Sequence, residues 1–208
     1  MIAIGADLAV AVDSAAAILR GGGVIVMPTD TVYGLAALPG EEGATTRLFE
    51  LKGRGSDAPL AVLCADVERA AALADPACGP ALHDVAGHWW PGPLTLVVLR
   101  APGVRLHLGE PAGTVGLRIP DHAFVRALAR EVGPIAATSA NRHGAPTEPS
   151  ALAAATSLAG DVDLVVDGGT IEGTASTVVD TTRSPWRVLR SGSLPSEEIL
   201  GLERGGRL

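Results

Sequence analysis

GGGVIVMPTDTVYGLAA, residues 21–37, opens on three glycines, runs through four consecutive apolar residues and breaks into a loop where two threonines flank an aspartate. Val24 to Met27 is a short apolar run bounded by turn formers, the pattern of a strand buried on both faces of a sheet. The polar loop behind it sits at a strand end, where open α/β sheets place their ligands. In an extended backbone Thr29 and Thr31 point to the same side. The stretch predicts a buried strand feeding a candidate site, with turn chemistry and satisfied hydroxyls as the plain structural alternative.

Upstream, Asp7 can cap a helix whose Leu8, Val12, Ala15, Ala16 and Leu19 share one face, and the triple glycine stops it. Downstream, Glu41 to Lys52 is predicted helical with Leu48 and Leu51 inward, followed by a strand over 59–64 and a helix from Asp66 to Leu73. Strands are expected over 94–99 and 114–119, then a helix over 123–132 capped by Asp121 and ended by Gly133. A short strand over 134–138, a helix of alanines capped by Ser150 and a strand over 164–166 follow. Strands over 176–180 and 186–190 form a closing pair, and 195–202 forms a helix capped by Ser196. Strands interleaved with helices give an α/β layer architecture, and several strands lack an intervening helix, so the sheet is expected to be mixed. Without an internal repeat or a convincing linker, the prediction is a single domain over 1–208.

Residues of hydrophobic type make up 47% of the 208, but aromatic ones only 3%, so Ala, Val and Leu must build the core. A formal net charge of −7 argues against a general nucleic-acid or anionic-membrane binder, because phosphate affinity comes from clustered cations. Cys64 and Cys78 have no spacing for a metal site or a disulfide framework. The N-terminal apolar stretch lacks a basic flank and is broken by Asp7 and Asp13, unlike a signal peptide or a membrane span. The expected location is cytoplasmic.

Common catalytic devices are missing from the sequence. The glycine run precedes a strand rather than opening a helix, Lys52 follows leucine rather than glycine, the histidines lack metal-ligand spacing, and no G-x-S-x-G occurs. What remains is unusual in another way. Of the 16 lysines and arginines, Lys52 is the sole lysine, and Arg54 follows two residues later. An ammonium is a compact point charge that can follow a shifting phosphate oxygen, whereas a guanidinium presents a planar fork. Thr138-Ser139-Ala140-Asn141 places hydroxyl and amide groups directly after a buried strand. Ser176 and Arg190 stand in the closing strands, and Trp89-Trp90-Pro91-Gly92-Pro93 suits core packing beside a rigid turn. Each feature has a structural explanation too: helix-end charge, loop capping or a solvated face.

Together, PTDTVYGL, the K-x-R of LKGR, WWPGPLT, VGLRIP, the S-x-N of TSAN, STVVD and RVLRSG resemble the YrdC family, in that family's order, from about Gly21 to Gly192. The resemblance implies a twisted mixed β-sheet flanked by helices, with a positively charged concave face. It further implies an enzyme, a nucleotidyltransferase of the short single-domain type. L-threonine, bicarbonate or CO2, and ATP with Mg2+ would give L-threonylcarbamoyladenylate and pyrophosphate, for modification of adenosine 37 in tRNA. Carried over by motif, Thr31, Arg118 and Ser176 would hold threonine. Lys52, Arg54, Ser139, Asn141 and Arg190 would hold the nucleotide, with Lys52 and Arg54 also catalytic as pyrophosphate leaves. No protein-bound metal and no permanently bound cofactor are expected, nor a membrane, while a transient tRNA encounter or a hand-off to a threonylcarbamoyl transferase is allowed. Many members carry a histidine where this chain has Leu63-Cys64. The rival readings are a carbamoyl-adenylate-forming domain of carbamoyltransferase type and a non-catalytic RNA-binding module.

Overall fold

The computed structural model describes residues 1–203 apart from Ala6 and Ser56. Residues 204–208 of the expected 1–208 domain, and Ser56 in the loop after Arg54, thus lie outside the described residues. The described strands are β1 (Ile2–Ala3), β2 (Ile25–Met27), β3 (Gly34–Ala37), β4 (Ala61–Leu63), β5 (Leu94–Leu99), β6 (Thr114–Arg118), β7 (Ile135–Ser139), β8 (Leu164–Asp167), β9 (Thr177–Asp180) and β10 (Arg187–Arg190). They form one sheet in the order β1-β8-β2-β3-β7-β4-β6-β5-β9-β10. Pairs β1·β8, β2·β8, β4·β6 and β5·β9 are parallel and the others antiparallel, so the sheet is mixed as expected. The helices are α1 (Leu8–Arg20), α2 (Glu42–Lys52), α3 (Val67–Ala71), α4 (Gly79–Trp89), α5 (Ala123–Val132), α6 (Ala151–Thr156) and α7 (Ser196–Glu203).

The alternation of side chains along each strand sends the core to both faces. Val26, Leu35, Val62, Leu96, Leu117 and Ala136 face one layer, where Leu48 of α2, Leu82 and Val85 of α4 and Ala154 of α6 pack on them. Ile25, Met27, Ala36, Ile135 and Val166 face the other, under Val12, Ala15 and Leu19 of α1 and Phe124, Val125 and Leu128 of α5. This second helical layer stops short. Farther along the same face Ala61, Thr95, Val97, Gly116 and Val178 carry no helix and line an open cavity. Residues with small or short side chains along this stretch keep that floor low.

Caps follow the sequence where the side chain can reach. Asp7, Asp66 and Ser150 accept from the N–H of Ala9, Arg69 and Ala153. Asp121 does not cap α5: His122 occupies that position without a side-chain bond, and the Asp121 carboxylate lies 3.7 Å from Arg126. Ser196 is the first residue of α7 rather than the residue before it. Leu8 is exposed, and Ala11 takes its place on the buried face of α1. Strand β3 and helix α4 were not anticipated. Gly-Leu-Ala-Ala has no β-branched residue, and β3 exists because its backbone pairs with β2 and β7 on either side. Among the described residues no helix is long and apolar enough to cross a membrane.

Candidate active site

The cavity over the open part of the sheet measures about 360 Å³, within the roughly 300–1,000 Å³ of small-ligand sites. Thr31, Arg54, Arg118, Ser139, Ser176 and Arg190 all line it. Six of the eight residues singled out from sequence thus share one wall, although up to 159 positions separate them (190 − 31). The other two, Lys52 and Asn141, stand directly behind Ser139.

Helix α2 ends in a Schellman turn: Gly53 is left-handed (φ 63°, ψ 39°), Gly53 N–H donates to Glu50 O and Arg54 N–H to Phe49 O. This turn sends the two neighbouring cations along different routes. Lys52 is 3% exposed, and its Nζ donates to Ser139 O (2.6 Å), Asn141 O (2.7 Å) and Asn141 Oδ1 (3.0 Å). An ammonium has three protons, and those contacts use all of them. It therefore pins the turn after β7 and reaches the cavity through Ser139, whose Oγ lies 3.4 Å away. Asn141 completes the turn by donating from Nδ2 to the carbonyls of Arg142 and Ala145. Burial first, then the charges of Arg54 and Arg190, bring the Lys52 ammonium down to about 7. Arg54 enters the cavity itself, stacked 5.6 Å over the Phe49 ring, with Nε and Nη2 buried and without hydrogen-bond partners among the described residues. The Asp57 carboxylate acts on it from beyond ion-pair distance, and burial lowers the Arg54 pKa.

Arg190, exposed on the edge strand β10, grips Ser176: Nε and Nη2 donate to the Ser176 carbonyl (3.1 and 2.7 Å), and Nη2 to its hydroxyl (3.0 Å). Its Nη1 has no protein partner among the described residues. The Ser176 hydroxyl also meets Thr95 Oγ1 at 2.9 Å. No carboxylate of the described residues lies within ion-pair distance of Lys52, Arg54 or Arg190.

Close enough to Arg190 for the two charges to repel, Arg118 at the end of β6, 6% exposed, organises a second group. Its Nε donates to Gly92 O (3.1 Å), Nη1 to Thr31 Oγ1 (3.0 Å) and Nη2 to Asp30 Oδ1 (2.6 Å). Three of its five N–H groups are used, leaving two for a ligand. Thr29 and Thr31, expected on one side of the chain, have hydroxyls 3.0 Å apart. Gly173 packs so closely on the loop that a Cβ there would overlap the Thr31 carbonyl, and one on Gly192 would overlap Ala175 O. Those glycines allow the segment before β9 to run beside the cavity. Leu63 supplies an apolar wall, and Cys64 points away into the core, burial pushing its thiol up to about 12.

Sequence reasoning passed over Asp30, Thr95 and Gly173. Asp30 had a signal, a lone carboxylate between two site threonines, but its partner Arg118 lies 88 residues away.

The family model for Sua5/YciO/YrdC, described as "Telomere recombination", matches residues 17–192. The chain belongs to this family. A relative from Mycobacterium tuberculosis named "Putative threonylcarbamoyl-AMP synthase" is 40% identical over 91% of this chain and 89% of its own length. The threonylcarbamoyl-AMP synthase of Pyrococcus abyssi is 40% identical over 89% of this chain, which spans only 55% of that longer protein. The crystal structure of P. abyssi Sua5 complexed with L-threonine superposes with a TM-score of 0.83 at 39% identity, covering 90% of this chain and 56% of that one. The fold read for the Sua5/YciO/YrdC member described here, a mixed sheet flanked by helices, is the fold of those structures.

Proposed function

We propose that the protein is an L-threonylcarbamoyladenylate synthase, joining L-threonine, CO2 or bicarbonate and ATP into threonylcarbamoyl-AMP and pyrophosphate for the N6-threonylcarbamoylation of adenosine 37 in tRNA. The observation that carries this reading is a single cavity with two electrostatic ends: unpaired cations at one, and a charge-balanced arginine among hydroxyls at the other. The first suits a polyphosphate and the second a zwitterionic amino acid.

At the Arg118 end the two spare N–H groups hold the threonine carboxylate, with the Thr31 and Ser176 hydroxyls near the amino-acid side chain. The bound ammonium gives one proton to solvent, the free amine forms a C–N bond to CO2, and a second N–H proton leaves to solvent, so that the product is the carbamate anion. A carbamate oxygen then attacks the α-phosphorus of ATP, a new P–O bond forms, the bond to the β-phosphate oxygen breaks and pyrophosphate departs. This requires positioning and charge stabilisation rather than a covalent enzyme nucleophile. Arg54, which lines the cavity, and the free Nη1 of Arg190 are the cations offered to the phosphate oxygens, and the buried Nε and Nη2 of Arg54 become available when that side chain shifts towards the ligand. Lys52 and Asn141 hold the Ser139 turn against the nucleotide. Lys52 touches a phosphate only by releasing one of its carbonyls. The phosphate end offers cations rather than carboxylates, so Mg2+ arrives as part of the ATP complex, on the phosphate oxygens. The product is a reactive mixed anhydride, and a cytoplasmic transferase acting on tRNA is its natural recipient.

Product analysis tests this directly. Incubation with ATP, Mg2+, bicarbonate and threonine is expected to release pyrophosphate and form threonylcarbamoyl-AMP, with valine a poor substitute because it leaves a buried polar group unpaired. Turnover of carbamoyl phosphate in place of threonine would overturn the reading in favour of the carbamoyltransferase type.

A further inference from the structure

Arg118 faces the cavity, as Arg54 and Arg190 do, yet among the described residues it alone of the three has a carboxylate within ion-pair distance; Arg54 feels the Asp57 carboxylate only from farther off. The partner of Arg118, Asp30, comes from the loop after β2, and the side chains of the pair are only 7% and 11% exposed. Water does not screen such a pair, so each charge is cancelled chiefly by the other. The surroundings leave Asp30 to Arg118. Among the described residues its second oxygen, Oδ2, is buried with no partner, and Nδ1 of the neighbouring His122 likewise finds none. Burial lowers the pKa of His122 despite the nearby carboxylates of Asp30 and Asp121, so the imidazole adds no second cation. Arg126 at the start of α5 is turned towards Asp121.

We propose that Asp30 is a specificity-determining residue: by balancing Arg118 it makes this end of the cavity accept a zwitterionic amino acid and refuse a bare anion. The proposal rests on the function proposed above and adds a reason for substrate order within the cavity. Without a counter-charge, Arg118 would be a third site for phosphate. A triphosphate could then lie across both ends, and the positively charged amino group of the incoming amino acid would be repelled. With Asp30 in place, the two remaining Arg118 N–H groups still orient a carboxylate, while the Asp30 charge offsets that of Arg118 near the ligand's amine. Asp30 touches no substrate; it acts through Arg118 and its field.

The test compares threonine with the hydroxy acid in which a hydroxyl replaces threonine's amine. Competition by that acid and by inorganic pyrophosphate is measured against threonine, for the wild type, the isosteric Asp30→Asn and the charge-preserving Asp30→Glu. In Asp30→Asn the KM for threonine should rise about tenfold, the factor that one pKa unit of charge interaction represents. The inhibition constants of the hydroxy acid and of pyrophosphate at the threonine end should fall, and the KM for ATP should stay unchanged. A merely structural loss weakens threonine and the hydroxy acid together, so opposite movements are the signature. Asp30→Glu should keep the wild-type preference for the zwitterion even if its kcat drops, which guards against a variant that simply packs badly. Parallel weakening of both ligands, or an unchanged preference in Asp30→Asn, overturns the proposal while wild-type turnover of threonine leaves the function standing. A wild-type protein that binds no threonine overturns both.

Discussion

At the Arg118 end of the cavity a buried guanidinium is answered by a carboxylate at 2.6 Å, whereas around Arg54, Arg190 and Lys52 the described residues offer neutral oxygens and an aromatic face, with the Asp57 carboxylate reaching Arg54 only beyond ion-pair distance. The two ends share one floor and one sheet, yet they treat positive charge in opposite ways. A buried cation with an ion-pair partner is part of the folded structure, and removing either member leaves the other stranded. A buried cation with vacant donors is costly to the apo protein and is relieved when an anion arrives. In a molecule of formal charge −7, no shortage of carboxylates explains the vacancy. The difference is the basis for the proposed placement of the two substrates.

The contrast is broken or sharpened by substitution. The largest expected effect is on stability at the balanced end: Arg118→Ala strands the Asp30 carboxylate and should cost about 3–5 kcal/mol in denaturant unfolding. Threonine binding should vanish with it. Next comes Arg54→Ala, which removes a buried cation held by the Phe49 face and the longer-range charge of Asp57 but by no ion pair among the described residues. Unfolding stability should hold or rise, while kcat for pyrophosphate release should fall by about 10²-fold or more, as when a preorganised donor to developing charge is lost. Equal destabilisation by the two substitutions would erase the proposed distinction between the ends. The smallest effect is a proton count. A negative ligand favours the charged form of a nearby lysine, so ATP binding should raise the Lys52 pKa from about 7. Slightly above neutrality the complex should therefore take up part of a proton. Calorimetry in two buffers of different ionisation heat would detect it, and Lys52→Met should lose that share of the uptake.

Much of the architecture was legible locally. The apolar run Val24 to Met27, the six-residue strand Leu94–Leu99 and the capping residues Asp7, Asp66 and Ser150 announce themselves because hydrophobic pattern and cap geometry act over a few residues. Strand β3 did not, since four small residues become a strand only when β2 and β7 offer their edges. Asp121 failed as a cap because its carboxylate is drawn towards Arg126. At the site, residue types were readable from the chain: a lone lysine beside an arginine, hydroxyls after a strand, an arginine at a strand end. Which of them touches the cavity was not. Lys52 and Arg54 are two positions apart in sequence, but a left-handed glycine places one behind the wall and the other in front of it.

By itself, the sequence determined the class of fold and the chemical kinds of group available, because periodicity, glycine placement and ordered motifs are properties of short stretches. Tertiary structure alone decided which cations are satisfied. Ion pairing and burial depend on distances between segments as remote as the loop at Asp30 and the strand end at Arg118. Charge balance at those distances is what the proposed division between an amino-acid place and a phosphate place rests on, and no local pattern encodes it.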